Sequence, residues 1–172
     1  MRKTSILATA AAAAMLMAAG QAMAQNNSTS VDASATIVTP LVLTVTNPLA
    51  FGSIIPSATA AGTVTFSASS DEPTYVVVTP TSNPGLVNRA ELAVSGGLAA
   101  ESTTLEISET SVDLIGANSS ETMVVDTFLV SAPTVLNVDG EATFYVGARL
   151  NVGANQAADT YTGSFTATVN YN

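Results

Sequence analysis

Thr143-Phe144-Tyr145-Val146-Gly147-Ala148-Arg149-Leu150-Asn151-Val152 puts Phe144, Val146, Ala148, Leu150 and Val152 on one side of an extended chain and the polar residues on the other. Successive side chains of a strand point to opposite faces, so this alternation predicts a strand with one face in a core. The end of the chain repeats the pattern. Tyr161, Gly163, Phe165, Ala167, Val169 and Tyr171 alternate with Thr160, Thr162, Ser164, Thr166, Thr168 and Asn170. Asp139-Gly140, ahead of the first run, is a common hairpin-turn dipeptide.

Working back from there, Thr122–Val130 reads as a strand, and Leu86–Ser95, Thr103–Ser108 and Val112–Ile115 as shorter ones. Thr63–Ala68 carries Val64, Phe66 and Ala68 on one face, while Tyr75-Val76-Val77-Val78 is a β-branched run suited to burial on both faces. Val31, Ala33, Ala35, Ile37, Leu41, Leu43 and Val45 alternate with polar residues as far as Thr46, with Pro40 marking an edge, a bulge or a break. Eight or nine short strands with no helical period predict an all-β antiparallel sandwich, its Thr- and Ser-rich faces turned to water.

At the N-terminus, Arg2 and Lys3 precede an apolar stretch from Ile6 to Ala19 and the small-x-small site Ala22-Met23-Ala24. That is the pattern of a bacterial signal peptide cleaved after Ala24, which places the protein in the periplasm, on the outer surface or outside the cell. The stretch is short for a membrane span and no second one follows, so stable membrane insertion is not expected after cleavage. Residues 25–172 then form a single domain. Only Arg89 and Arg149 remain against 13 acidic residues, a net charge of −11, which makes nucleic acid a poor partner.

The chain contains no Cys and no His. Ser-His-Asp, Cys-His and Ser-Lys catalysis therefore lack their parts in the mature chain, as do the usual zinc, copper and haem sites. No cofactor is expected. Carboxylate chemistry is left, with Glu101, Glu106, Glu109, Asp113, Glu121 and Asp126 available, yet acids on the outer faces of strands account for the same pattern. Asn137, Asp139 and Glu141 offer alternate oxygens for calcium around Gly140, although the segment is first a turn. Tyr161 and Tyr171 share the apolar face of their strand; Tyr145 lies opposite Phe144 and Val146 and is the better candidate for a carbohydrate-binding surface.

Ala35-Thr36-Ile37-Val38-Thr39-Pro40-Leu41, Leu49-Ala50-Phe51-Gly52, Gly62-Thr63-Val64-Thr65, Phe144-Tyr145-Val146-Gly147-Ala148, Ala154-Asn155-Gln156-Ala157-Ala158 and the run from Tyr161 to Asn172 resemble the bacterial domain family DUF4402. The resemblance implies an exported β-sandwich of uncharacterised role with no catalytic residues to carry over. The C-terminal motif of Tyr161, Gly163, Phe165, Val169 and Tyr171 is its specific part. A weaker resemblance links the chain to spore coat protein U and the archaic chaperone-usher pilins, which implies an immunoglobulin-like, pilin-like sandwich completed by a neighbour's strand. The chain departs from that group in having Asp159 where a glycine is common, and in lacking cysteine.

Val31, Ala33, Ala35 and Ile37 form the segment able to act as a donated strand. Because only Gln25–Ser30 precede it in the mature chain, pairing within its own domain is the first expectation and donation the alternative. The sequence thus points to a non-enzymatic structural or adhesive surface protein, a pilin-like subunit whose partners are copies of itself, related subunits and a periplasmic chaperone. The rival is a monomeric exported module holding calcium or a glycan in its loops.

Overall fold

The computed structural model describes residues 27–172. The signal-peptide reading of residues 1–24 lies outside them. Among the described residues every regular element is a strand, and every strand pair is antiparallel. The strands are β1 (Val42–Asn47), β2 (Ala50–Phe51), β3 (Ile54–Ile55), β4 (Gly62–Thr65), β5 (Thr74–Val76), β6 (Thr79–Pro80), β7 (Val87–Asn88) and β8 (Ala90–Ser95). They continue with β9 (Ser102–Ile107), β10 (Ser111–Gly116), β11 (Thr122–Val130), β12 (Thr134–Val135), β13 (Ala142–Val152), β14 (Tyr161–Thr162) and β15 (Ala167–Tyr171).

β13 organises the molecule. One edge pairs with β11, while the other pairs first with β8, at Ala142–Val146, and then with β4, at Arg149–Val152. The large sheet therefore runs β1-β8-β13-β11-β10-β14, with β4 and then β5 attached beside β13. The change of partner along β13 curls it. A three-stranded sheet, β12-β9-β15, packs against part of the large one, and β2-β7 and β3-β6 form two short separate pairs. The result is an antiparallel β-sandwich.

The alternation read in Thr143–Val152 is what fills the interior. Phe144, Val146, Ala148, Leu150 and Val152 are all buried. Leu150 and Val152 pack with Phe51, Val64, Phe66, Val78 and Val125; Phe144 and Val146 pack with Ala90, Leu92, Val94, Leu105 and Leu136. Phe128 and Leu49 touch both groups and join them. Burying such side chains contributes about 1.5–3 kcal/mol each, which lets a chain without crosslinks hold this fold.

Several expectations are corrected. The strands are shorter and more numerous than eight or nine, because the chain passes between sheets several times. The last run is two strands: β14 belongs to the large sheet and β15 to the small one, with Gly163–Thr166 crossing between them. Tyr75–Val78 is not buried on both faces. β5 has only β4 as a neighbour among the described residues, so Val76 and Val77 are exposed while Val78 turns inward. The Asp139-Gly140 turn forms, but it connects β12 of one sheet to β13 of the other instead of two paired strands.

The largest correction concerns Val31–Thr39. No strand is assigned from residue 27 to residue 41, and residues 27–40 are exposed, Val31 at 85% and Ile37 at 94%. Pro40 has no N–H to give a ladder, and Val38-Thr39-Pro40-Leu41 lacks the Gly or Asn of a tight hairpin that could fold this stretch back on β1. The strand expected over Val31, Ala33, Ala35 and Ile37 is thus not formed among the described residues.

Candidate functional site

Two sheet edges meet where the sandwich stays open. β1 pairs only with β8, and β15 only with β9, among the described residues. Leu41, Leu43, Phe165, Ala167, Val169 and Tyr171 face the interior and pack on the core beneath Phe144, yet all six are only half-buried. Val45, next on the same face of β1, is 62% exposed. The interior rows of β8 and β13 are closed over; those of the two edge strands lack a neighbour on one side.

The backbone of β15 is equally one-sided. Ser108 N–H donates to the Thr166 carbonyl at 3.2 Å, and Asn172 N–H donates to the Ser102 carbonyl at 2.9 Å. A residue of an antiparallel strand directs its N–H and C=O to the same side, and successive residues alternate. Thr168 and Asn170 therefore bond β9, while the N–H and C=O groups of Ala167, Val169 and Tyr171 point out along the free edge.

Beyond Phe165 this edge runs into a cleft of about 630 Å³ between Leu49–Pro56 and Gln156–Phe165, floored by Leu114, Met123, Val125 and Leu150. Tyr161 is fixed in its wall, its Oη donating to the Ala157 carbonyl and accepting from Gln156 Nε2, both at 2.9 Å. Gly163 lies so close to the Asp113 carbonyl that a Cβ would sit 2.7 Å from that oxygen. Phe165 packs on Phe128 with ring centroids 4.9 Å apart. At the far end of β15, Tyr171 Oη accepts from Leu98 N–H at 3.1 Å and donates to the Thr39 carbonyl at 3.0 Å. Tyr161, Gly163 and Phe165 of the C-terminal motif thus line the cleft, while Val169 and Tyr171 face the interior along the edge of β15.

Several of the other candidates are bonded within the fold. Asn137 Oδ1 accepts the N–H groups of Asp139 and Glu141, each at 2.9 Å, which closes the turn and occupies the oxygen a calcium ion would need. Among the described residues no group of three or more acidic, His or Cys side chains is placed to hold a metal ion. Asp126 receives Arg149 through Nε at 2.8 Å and Nη2 at 3.0 Å, and Asn151 through Nδ2 at 3.0 Å; the Arg149 pairing holds its pKa below the usual range. Glu109 accepts Thr166 N–H, which lowers its pKa, and Glu121 accepts Ala157 N–H and Gln156 Nε2. Glu101, Glu106 and Asp113 are exposed.

Tyr145 is not an open platform. The Arg89 guanidinium lies 3.7 Å from its ring centroid and also reaches the Ala68 carbonyl and the Asp71 carboxylate. Arg89 and Arg149 are thus both held by contacts within the fold.

Asp159 shows why this position need not be glycine. Its carboxylate accepts Ser119 N–H at 2.6 Å, Asn118 N–H at 2.7 Å and Asn118 Nδ2 at 2.9 Å, pinning the β10–β11 turn to the segment before β14. Those donors, the Ser119 and Asn118 backbone groups first, hold its pKa well below the usual carboxylate range. Below pH about 4 the unfolded chain takes up a proton that the folded chain refuses, so this contribution is complete at neutral pH and is lost in acid. Asp159→Asn is expected to lower Tm most at pH 6–7, the gap to wild type closing below about pH 4. Thermal melts across that range would show a constant gap if the carboxylate charge were irrelevant.

A model of the family described as domain of unknown function (DUF4402) matches residues 41–171. The match begins at Leu41, so Val31–Ile37 precede it. No curated protein and no solved structure matches the chain.

Proposed function

The chain belongs to the DUF4402 family of domains of unknown function, and from that premise we propose that it is an exported, non-enzymatic structural or adhesive protein of the cell surface, a pilin-like subunit that works by joining to other subunits. The observation that carries this reading is the pair of edge strands β1 and β15, whose interior-facing side chains are only half-buried and which each pair on one side alone. A sandwich edge of this kind invites pairing with another chain and is normally blunted or covered. The sequence supports the same direction, since without His or Cys the Ser-His-Asp and Cys-His arrangements lack their parts. The pattern of residues 1–24 supports export, and N-terminal sequencing of the periplasmic product should begin at Gln25.

Size-exclusion chromatography with light scattering tests the assembly. The chain purified from a periplasm is expected to form oligomers larger than a dimer, and a form lacking Gln25–Ile37 to be monomeric. A monomeric full-length chain would overturn the reading. The cleft beside Tyr161 and Gln156 would then favour the second one, a monomeric module that binds a glycan, tested by calorimetry with oligosaccharides.

A further inference from the structure

The cleft between Leu49–Pro56 and Gln156–Phe165 is a recess of about 630 Å³, within the size range of small-molecule sites. Val125 and Leu150 at its floor are core residues, 3% and 1% exposed. Leu49, Ile54, Leu114 and Met123 pack on that core, yet they are themselves only half-buried. A bound apolar group would complete their removal from water.

Both walls are held from behind, so the opening is built into the fold. In one, Phe51 and Ile55 pair with Val87 and Thr79. Between them Ser53 N–H donates to the Pro84 carbonyl at 2.8 Å, and the Ser53 carbonyl accepts from Thr81 N–H at 3.0 Å. In the other wall, Tyr161 and Thr162 pair with Gly116 and Ile115, and Glu121 accepts Ala157 N–H at 3.1 Å. Asn155 ties the two walls together at one end. Its N–H donates to the Ser57 carbonyl at 2.9 Å and its Nδ2 to the Ala58 carbonyl at 2.8 Å. A site fixed in this way loses little freedom when it is filled.

The lining selects what fits. The floor is aliphatic, and the Met123 thioether suits an irregular, flexible chain. The polar pair in the wall is already matched, with Gln156 Nε2 donating to Tyr161 Oη and Tyr161 Oη donating to the Ala157 carbonyl, so a sugar ring finds little there to bond. Ser53, Thr160, Thr162 and Ser164 are exposed along the rim and supply uncharged hydroxyls. Among the described residues of the lining, Asp159 is the one charged side chain, and Asn118 and Ser119 already occupy its carboxylate. An anionic head would face that charge with no Lys or Arg in the lining to offset it.

We propose that the cleft is a binding site for one hydrocarbon chain carrying an uncharged polar end, of the acylglycerol class. The chain lies on Leu114, Met123, Val125 and Leu150, and the ester or hydroxyl end meets the hydroxyls of the rim. The proposal rests on the cleft alone and goes beyond the assembly reading.

Displacement of a neutral fluorophore, phenylnaphthylamine, from the full chain purified from a periplasm tests it. The fluorophore is expected to brighten on binding, and decanoylglycerol, kept below its micelle concentration, to displace it. At about pH 8, where the acid is ionised, decanoate is expected to need roughly tenfold more, and maltohexaose to displace none. Ala158→Trp on one wall and Ser53→Trp on the other, both at exposed positions, are expected to fill the cleft and remove binding with an unchanged denaturant midpoint. Val76→Ser, at an exposed position outside the cleft, is expected to bind as the parent does. No brightening, equal displacement by decanoate, displacement by maltohexaose, or full binding by both folded wall variants would each overturn the proposal. Oligomeric state is read separately by light scattering, so loss of this site leaves the assembly reading standing.

Discussion

Phe144→Ala is expected to lower the unfolding free energy by about 3–5 kcal/mol. Phe144 is wholly buried in the middle of β13, opposite Leu92 of β8, and packs among Leu92, Val94, Leu105, Leu136 and Val146. Its neighbours come from both sheets, so the void left by the ring cannot be closed by moving one side chain. A domain of this size has about 5–15 kcal/mol in total, and the variant should be marginal at 25 °C. Denaturant titration followed by far-UV circular dichroism would measure the loss. A change below about 1 kcal/mol would mean that this row is not the centre of the interior.

The same measurement distinguishes the closed interior from the open edge. Val146→Ala and Val169→Ala remove the same atoms from interior-facing positions of β13 and β15, but Val146 is fully buried and Val169 is half-buried. Val169→Ala should cost the isolated chain clearly less than Val146→Ala.

Alternation was legible because it reports only which face of a strand looks inward. It was right for Phe144 to Val152, and right in parity from Tyr161 to Tyr171 except at the exposed Gly163, although that run is two strands in two sheets. Both sheets look into one interior, so a chain crossing between them at Gly163–Thr166 keeps its inward positions, and nothing local records the change of partner. Tyr75–Val78 misled for the complementary reason: β-branched residues suit an exposed edge beside β4 as well as a buried strand. The half-burial of β15 was illegible too, since the spacing of Val169 and Tyr171 cannot say whether a neighbour covers them. The Asp159 clamp joins residues about 40 positions apart through backbone N–H groups, which leave no mark in side-chain pattern. The C-terminal motif was identified as a unit, and the structure adds that it divides between the cleft, at Tyr161, Gly163 and Phe165, and the interior face of β15, at Val169 and Tyr171.

Gly147 is the residue at which β13 changes partner, and Gly147→Ala is expected to destabilise the chain by about 3 kcal/mol, the upper end of ordinary overpacking costs. β13 leaves β8 after Val146 and takes up β4 from Arg149, and between these pairings the chain following β4 crosses the outer face of the strand. A Cβ at Gly147 would lie 2.4 Å from the Phe66 carbonyl oxygen and 2.6 Å from the Ser67 carbonyl carbon. These are backbone atoms, and Phe66 N–H is itself bonded to the Ala148 carbonyl at 2.9 Å, so neither strand can yield without breaking that contact. A glycine inside a strand often marks such a close approach of another backbone. Gly85→Ala is the control: Gly85 has a φ of +74° with nothing within 4 Å of its Cβ position, so the substitution meets only the left-handed penalty of roughly 1–2 kcal/mol. Denaturant titration of both variants should therefore rank Gly147→Ala below Gly85→Ala, with Phe66 and the β4 attachment loosened first in amide exchange. Equal losses would mean that the crossing is free to move, and that the partner change along β13 is held by side chains alone.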